Sequence, residues 1–90
     1  MNLTNFHKFS NAYRRELLLS VTQNPKEYFN CPADSNLIAP YVDGVANRML
    51  EAIQTRGISG VHLSNTFKKA AKSLGLKPTY RAINEYLNQQ

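Results

Sequence analysis

From Ser64 to Leu87 the chain reads SNTFKKAAKSLGLKPTYRAINEYL, a stretch whose apolar spacing permits little besides two consecutive helices. Phe67, Ala70, Ala71 and Leu74 recur at intervals of three and four, while Lys68, Lys69 and Lys72 fall outside that stripe. Gly75 supplies a residue that tolerates the left-handed conformation closing a helix, and Leu76 can fold back onto the last turn. Pro78 is expected to open the second helix, since the first helical position has no use for an N–H, and Tyr80, Ile83 and Leu87 form its apolar stripe.

The same periodicity runs through the rest of the chain. A first helix is predicted from about Asn5 to Thr22, capped by Thr4 or Asn5. Its core stripe is Phe6, Phe9, Tyr13, Leu17 and Val21, widened by Leu18, with Lys8, Arg14, Arg15 and Ser20 facing away. Asn24-Pro25-Lys26-Glu27 signals a short helical turn through Tyr28 and Phe29, with Asn24 as cap. NCPADS, residues 30–35, reads as loop, because Cys31 precedes a proline. A long helix follows, starting between Asn36 and Tyr41 with the earlier start preferred, capped by Asp34 or Ser35, and stopping at Arg56 before Gly57. Its stripe is Leu37 or Ile38, Tyr41 with Val42, Val45, Met49 and Ile53. Gly44 inside it reflects close packing or simple tolerance. Residues 57–63 read as a loop whose Ile58, Val61 and Leu63 plug the core, with Ser59 or Ser64 capping the next helix. The expected fold is an all-α, compact single-domain bundle of four to five helices over residues 1–90, ending in a helical hairpin. Both long helices are expected to pack against that hairpin, and Phe6, Phe9, Tyr13, Phe29, Tyr41, Phe67, Tyr80 and Tyr86 to supply much of the core.

Composition narrows the functional classes. A chain of 90 residues buries only about 60–65% of its unfolded surface, and a 42% apolar content suffices for one core. The single cysteine allows no internal disulfide, and Cys31, His7 and His62 make no zinc set without carboxylates; Cys31 reads as a buried or merely bystanding cysteine. No apolar run approaches the ~20 residues of a membrane span. MNLTNFHK lacks the pattern of a secretion signal, so a cytoplasmic setting is expected and the Asn2-Leu3-Thr4 triplet carries no weight as a glycosylation site. The carboxylates are scattered, neither histidine has a nucleophile at a recognisable spacing, and Gly57 and Gly60 lack the residues of a phosphate loop, so no enzyme and no cofactor are expected.

Charge is the informative term. The net charge is +5, and its location matters more than its size. Residues 1–55 balance five cations against five anions; residues 56–90 hold six cations against Glu85 alone. Lys68, Lys69, Lys72, Lys77 and Arg81 are therefore the candidate binding residues, with nucleic acid or a nucleic-acid-handling complex as the expected partner. The alternatives are a solvated face that merely keeps the chain soluble, or an adaptor docking on another protein while the lysines steer encounter.

Ala70-Ala71-Lys72-Ser73-Leu74-Gly75-Leu76 looks like the first half of a DNA-binding helix-turn-helix. The second half departs from it: six residues after the glycine, where the motif buries an aliphatic side chain, stands Arg81. The turn must differ or the second helix must be rotated, and an ordinary helical hairpin is the plainer reading. More broadly, FKKAAKSLGLKPTYRAINEYL, through Phe67, Lys68, Leu74, Gly75, Lys77, Thr79, Tyr80, Ile83 and Leu87, resembles the tail of small helical proteins from bacteriophage accessory regions. That resemblance covers about the last quarter of the chain. It implies a mobile-element origin, a setting that includes regulators and inhibitors of CRISPR machinery, and no active site.

Overall fold

The computed structural model describes residues 1–29 and 35–90. It is all-α: α1 (Leu3–Gln23), a 3-10 turn (Pro25–Glu27), α2 (Ser35–Arg56), a second 3-10 turn (Ile58–Gly60), α3 (Asn65–Ser73) and α4 (Tyr80–Leu87), with no strand among the described residues. The loop and bystander-cysteine expectations for residues 30–34, and the Asp34 cap, lie outside the described residues.

The expected stripe of α1 is the spine of the core: Phe6, Phe9, Tyr13, Leu17 and Val21 are all buried, joined by Ala12. Leu18 does not widen it. One residue further round the helix than Leu17, it turns to solvent and is 46% exposed. Nor do Arg14 and Ser20 simply face away. Arg14 bridges to α2, donating to Asp43 Oδ1 at 2.7 Å and to Asn47 Oδ1, while Ser20 Oγ shares a 2.7 Å hydrogen bond with the Tyr28 hydroxyl. Both use side chains on the flank of the stripe to tie neighbouring elements together.

α2 takes the early start. Pro40 lies inside the helix, about one turn from its beginning and on its exposed side. Val42, Ala46, Met49 and Ile53 are buried, with Ile38, Tyr41 and Val45 packed at the margin, and Leu37 is exposed. A Cβ at Gly44 would meet nothing within 4 Å, so this glycine is tolerated and not required. Gly57 ends the helix at φ +82°, a conformation that favours glycine.

α3 and α4 each seat on α1, and α2 lies along α1 and the Ile58–Gly60 turn. Contrary to expectation, the long α2 meets the C-terminal pair chiefly through that turn, which also supports α4. Ile58 and Val61 are buried, as expected of a plug. Aromatic packing links α1 to α3, with ring centroids of Phe9 and Phe67 5.0 Å apart and Tyr13 at 6.1 Å from Phe67. A second cluster sets Tyr28 and Phe29 edge-on to Tyr41.

The start of α1 is capped by Asn2, not by Thr4 or Asn5: Asn2 Oδ1 accepts from the Asn5 N–H at 3.0 Å. The reason lies at the far end of the chain. Asn2 N–H donates to the Leu87 carbonyl at 2.7 Å, and buried Asn5 donates through Nδ2 to the Tyr86 carbonyl at 2.7 Å and to Gln89 Oε1 at 3.2 Å. The carbonyls that α4 leaves open at its end are thus satisfied by the first turn of α1.

Candidate nucleic-acid interface

α3 is positioned by its inward residues. Phe67, Ala70 and Ala71 are essentially fully buried, and the two alanines let the helix lie close to α1. Ser64, one of the two expected caps, accepts from the Phe67 N–H at 3.2 Å. At about 100° per residue, Lys68, Lys69 and Lys72 fall within an arc of roughly 100° opposite that buried face. Lys69 and Lys72 are exposed and Lys68 is half-buried.

The helix closes as its sequence demands. Gly75 adopts φ +77°, its N–H donates to the Lys72 carbonyl at 3.0 Å, and the Leu76 N–H reaches back to Ala71 at 3.0 Å. The restart differs from expectation. Pro78 does not open α4; the Thr79 N–H closes a tight turn onto the Lys77 carbonyl at 2.9 Å, and Thr79 caps the helix by accepting from the Ala82 N–H at 3.2 Å. A threonine able to cap outcompetes a proline that can only fill the first helical position, so α4 begins at Tyr80. This lengthens the connection to Leu74–Thr79 and resolves the misfit at Arg81. With the helix begun later, Ile83 takes the buried place and Arg81 turns to solvent.

Tyr80 is not a full core residue. It is 36% exposed, and its hydroxyl donates to the Val61 carbonyl at 2.6 Å, pinning the start of α4 to the segment after the second 3-10 turn. Lys77, Thr79, Arg81, Ala82 and Glu85 line one shallow depression. The structure therefore groups three of the candidate cations on the outer arc of α3 and the other two, Lys77 and Arg81, around this depression.

Electrostatically the two groups differ. Among the described residues the only ion pairs are Arg14–Asp43 and Arg81–Glu85, the latter at 3.3 Å within α4. Among the described residues no acid lies within ion-pair reach of Lys68, Lys69, Lys72 or Lys77. The Arg81–Glu85 side chains are 91% and 65% exposed, so that pair is screened and readily exchanged for another partner.

Sequence reasoning passed over Asn84 and Asn88. They stand four apart on the polar side of α4, and Asn88 Nδ2 donates to Asn84 Oδ1 at 3.0 Å; that spacing beside Arg81 was the available signal. His7 and His62 are exposed, and no group of three or more His, Cys, Asp or Glu among the described residues could hold a metal ion. Among the described residues no helix is long and apolar enough to cross a membrane. No protein-family model, curated protein or solved structure matches this chain.

Proposed function

We propose that this chain is a non-enzymatic binding protein that engages nucleic acid, alone or within a nucleic-acid-handling complex, through the cationic surface of α3 and the α3–α4 connection. The observation that carries this reading is the outer arc of α3, where Lys68, Lys69 and Lys72 stand together with no ion-pairing acid among the described residues. Ammonium groups held on one side of a short helix raise the local concentration of polyanions and release condensed counterions when phosphates dock. Three or four such contacts give a log–log dependence of affinity on salt with a slope of about −3 to −4.

Fluorescence anisotropy of the full chain against labelled random-sequence DNA and RNA, across a salt series, tests the proposal. Salt-sensitive binding is expected, lost when Lys68, Lys69 and Lys72 are together changed to Glu; circular dichroism confirms that the variant keeps its helices. Unchanged binding by that variant refutes the assignment. In the phage accessory setting implied by the resemblance, the same lysines would contact the nucleic acid held by a host complex, one route by which a small protein could inhibit CRISPR machinery.

One observation favours a second reading. Leu18 and Leu19, 46% and 48% exposed, present an apolar spot on the outer side of α1 that could anchor a protein partner while the lysines steer encounter. Absence of any nucleic-acid binding at low salt would favour it.

A further inference from the structure

We infer that the ligand of this surface is duplex DNA and that α4 is the helix reading its base edges, an assignment resting on the nucleic-acid reading above. The two outer faces carry different chemistry. That of α3 holds lysines, compact point charges suited to phosphates. That of α4 holds Arg81, Asn84 and Glu85, within an arc of roughly 100° that leaves out buried Ile83 and Leu87, with Asn88 at the C-cap beside them; all four are exposed. Arginine matches guanine, asparagine matches adenine, and glutamate accepts from cytosine, each along the edge displayed in the major groove.

The other nucleic-acid forms fit less well. Unpaired strands are held by stacking on exposed aromatic rings. Neither face offers a freely placed ring: Phe67 is buried, Tyr86 is half-buried, and Tyr80, though 36% exposed, is tied through its hydroxyl to the Val61 carbonyl. Double-stranded RNA hides its major-groove base edges in a groove too deep and narrow for side chains to read, and its open minor groove is recognised mostly by shape. B-form DNA has a major groove about 12 Å wide, which admits the roughly 10–12 Å diameter of a helix such as α4.

The face is also free to act. Its internal bonds, Arg81 Nε to Glu85 Oε1 and Asn88 Nδ2 to Asn84 Oδ1, join exposed groups and can be exchanged for base-edge partners. Lys77 and Arg81 flank the same depression, so a cation from the connection adjoins the base-reading residues. Glu85 in the midst of this face works against indiscriminate phosphate binding and for selectivity.

Selection from a randomised duplex DNA library with the full chain tests the assignment. A preferred core of about 3–4 base pairs is expected. Asn84→Ala should lower the ratio of affinities for selected over random duplex roughly 10- to 100-fold, whereas Lys69→Glu should weaken both alike and leave the ratio standing. Arg81→Ala, at a position exposed enough not to disturb folding, supplies a second variant, expected to relax preference at a different base pair. Failure of any sequence to enrich, while random duplex still binds in a salt-dependent way, overturns the role of α4 and leaves the phosphate reading intact. Tighter binding to single strands or RNA overturns the inference in the same way. Absence of binding to every nucleic acid removes both.

Discussion

Replacing Asn5 with Ala should destabilise the protein by about 1–2 kcal/mol, although Asn5 lies in the first turn of a terminal helix where substitutions are ordinarily mild. The magnitude follows from its surroundings. The side chain is 9% exposed and donates to the Tyr86 carbonyl at 2.7 Å and to Gln89 Oε1 at 3.2 Å. With it gone, the Tyr86 carbonyl keeps only a long 3.4 Å bond from the Gln89 N–H. A domain of this size has a total stability of roughly 5–13 kcal/mol, so the loss should lower Tm by about 5–12 °C and the urea midpoint by about 1 M. Thr4→Ala, one residue earlier and exposed, is the control and should stay within about 0.5 kcal/mol of the parent. Combining Asn5→Ala with removal of Gln89 and Gln90 should cost less than the sum of the two changes, because both delete the Asn5–Gln89 bond. An Asn5→Ala variant within about 0.3 kcal/mol of the parent would show that the junction between the two chain ends does not hold α4 in place.

Gly44→Ala should stabilise the fold by about 0.5–1 kcal/mol in urea melts, since open space surrounds the new methyl and the helix gains propensity. Tyr80→Phe should cost about 1 kcal/mol in the same assay by deleting the 2.6 Å bond to the Val61 carbonyl, with little change in helical content. Burial, reinforced by the neighbouring Tyr28 and Tyr41 phenols, raises the pKa of Tyr13 above its ordinary 10.0. The stability tied to its neutral form is fully present below pH 10.0 and lost as pH rises toward and through the higher folded value. Alkaline melts should therefore show a loss of stability that Tyr13→Phe reduces.

Much of the architecture was readable because helical periodicity is local. The α1 stripe and the Ser64 and Gly75 signals needed only residues within a turn or two of one another. Misreadings arose where a distant partner decided the outcome. Asn2 displaces Thr4 as cap because the end of α4 sits beside it, and Tyr80 is half in solvent because its hydroxyl is held by a carbonyl 19 residues earlier. Pro78 and Thr79 compete for the same helix start, and only the geometry of the turn shows that threonine prevails. For the candidate surface, charge alone singled out the lysines. The asparagines of α4 carry no charge, and their orientation depends on where that helix begins.

The nine residues of α3 are too few to hold a helix unaided, so packing on α1 must also offset the mutual repulsion of its cations. Lys72 stands three and four residues from Lys69 and Lys68, spacings at which like charges each disfavour a helix by a few tenths of a kcal/mol. The unliganded molecule therefore carries internal electrostatic pressure on its outer wall. A polyanion docked there would relieve it, and so would stiffen the helix it contacts.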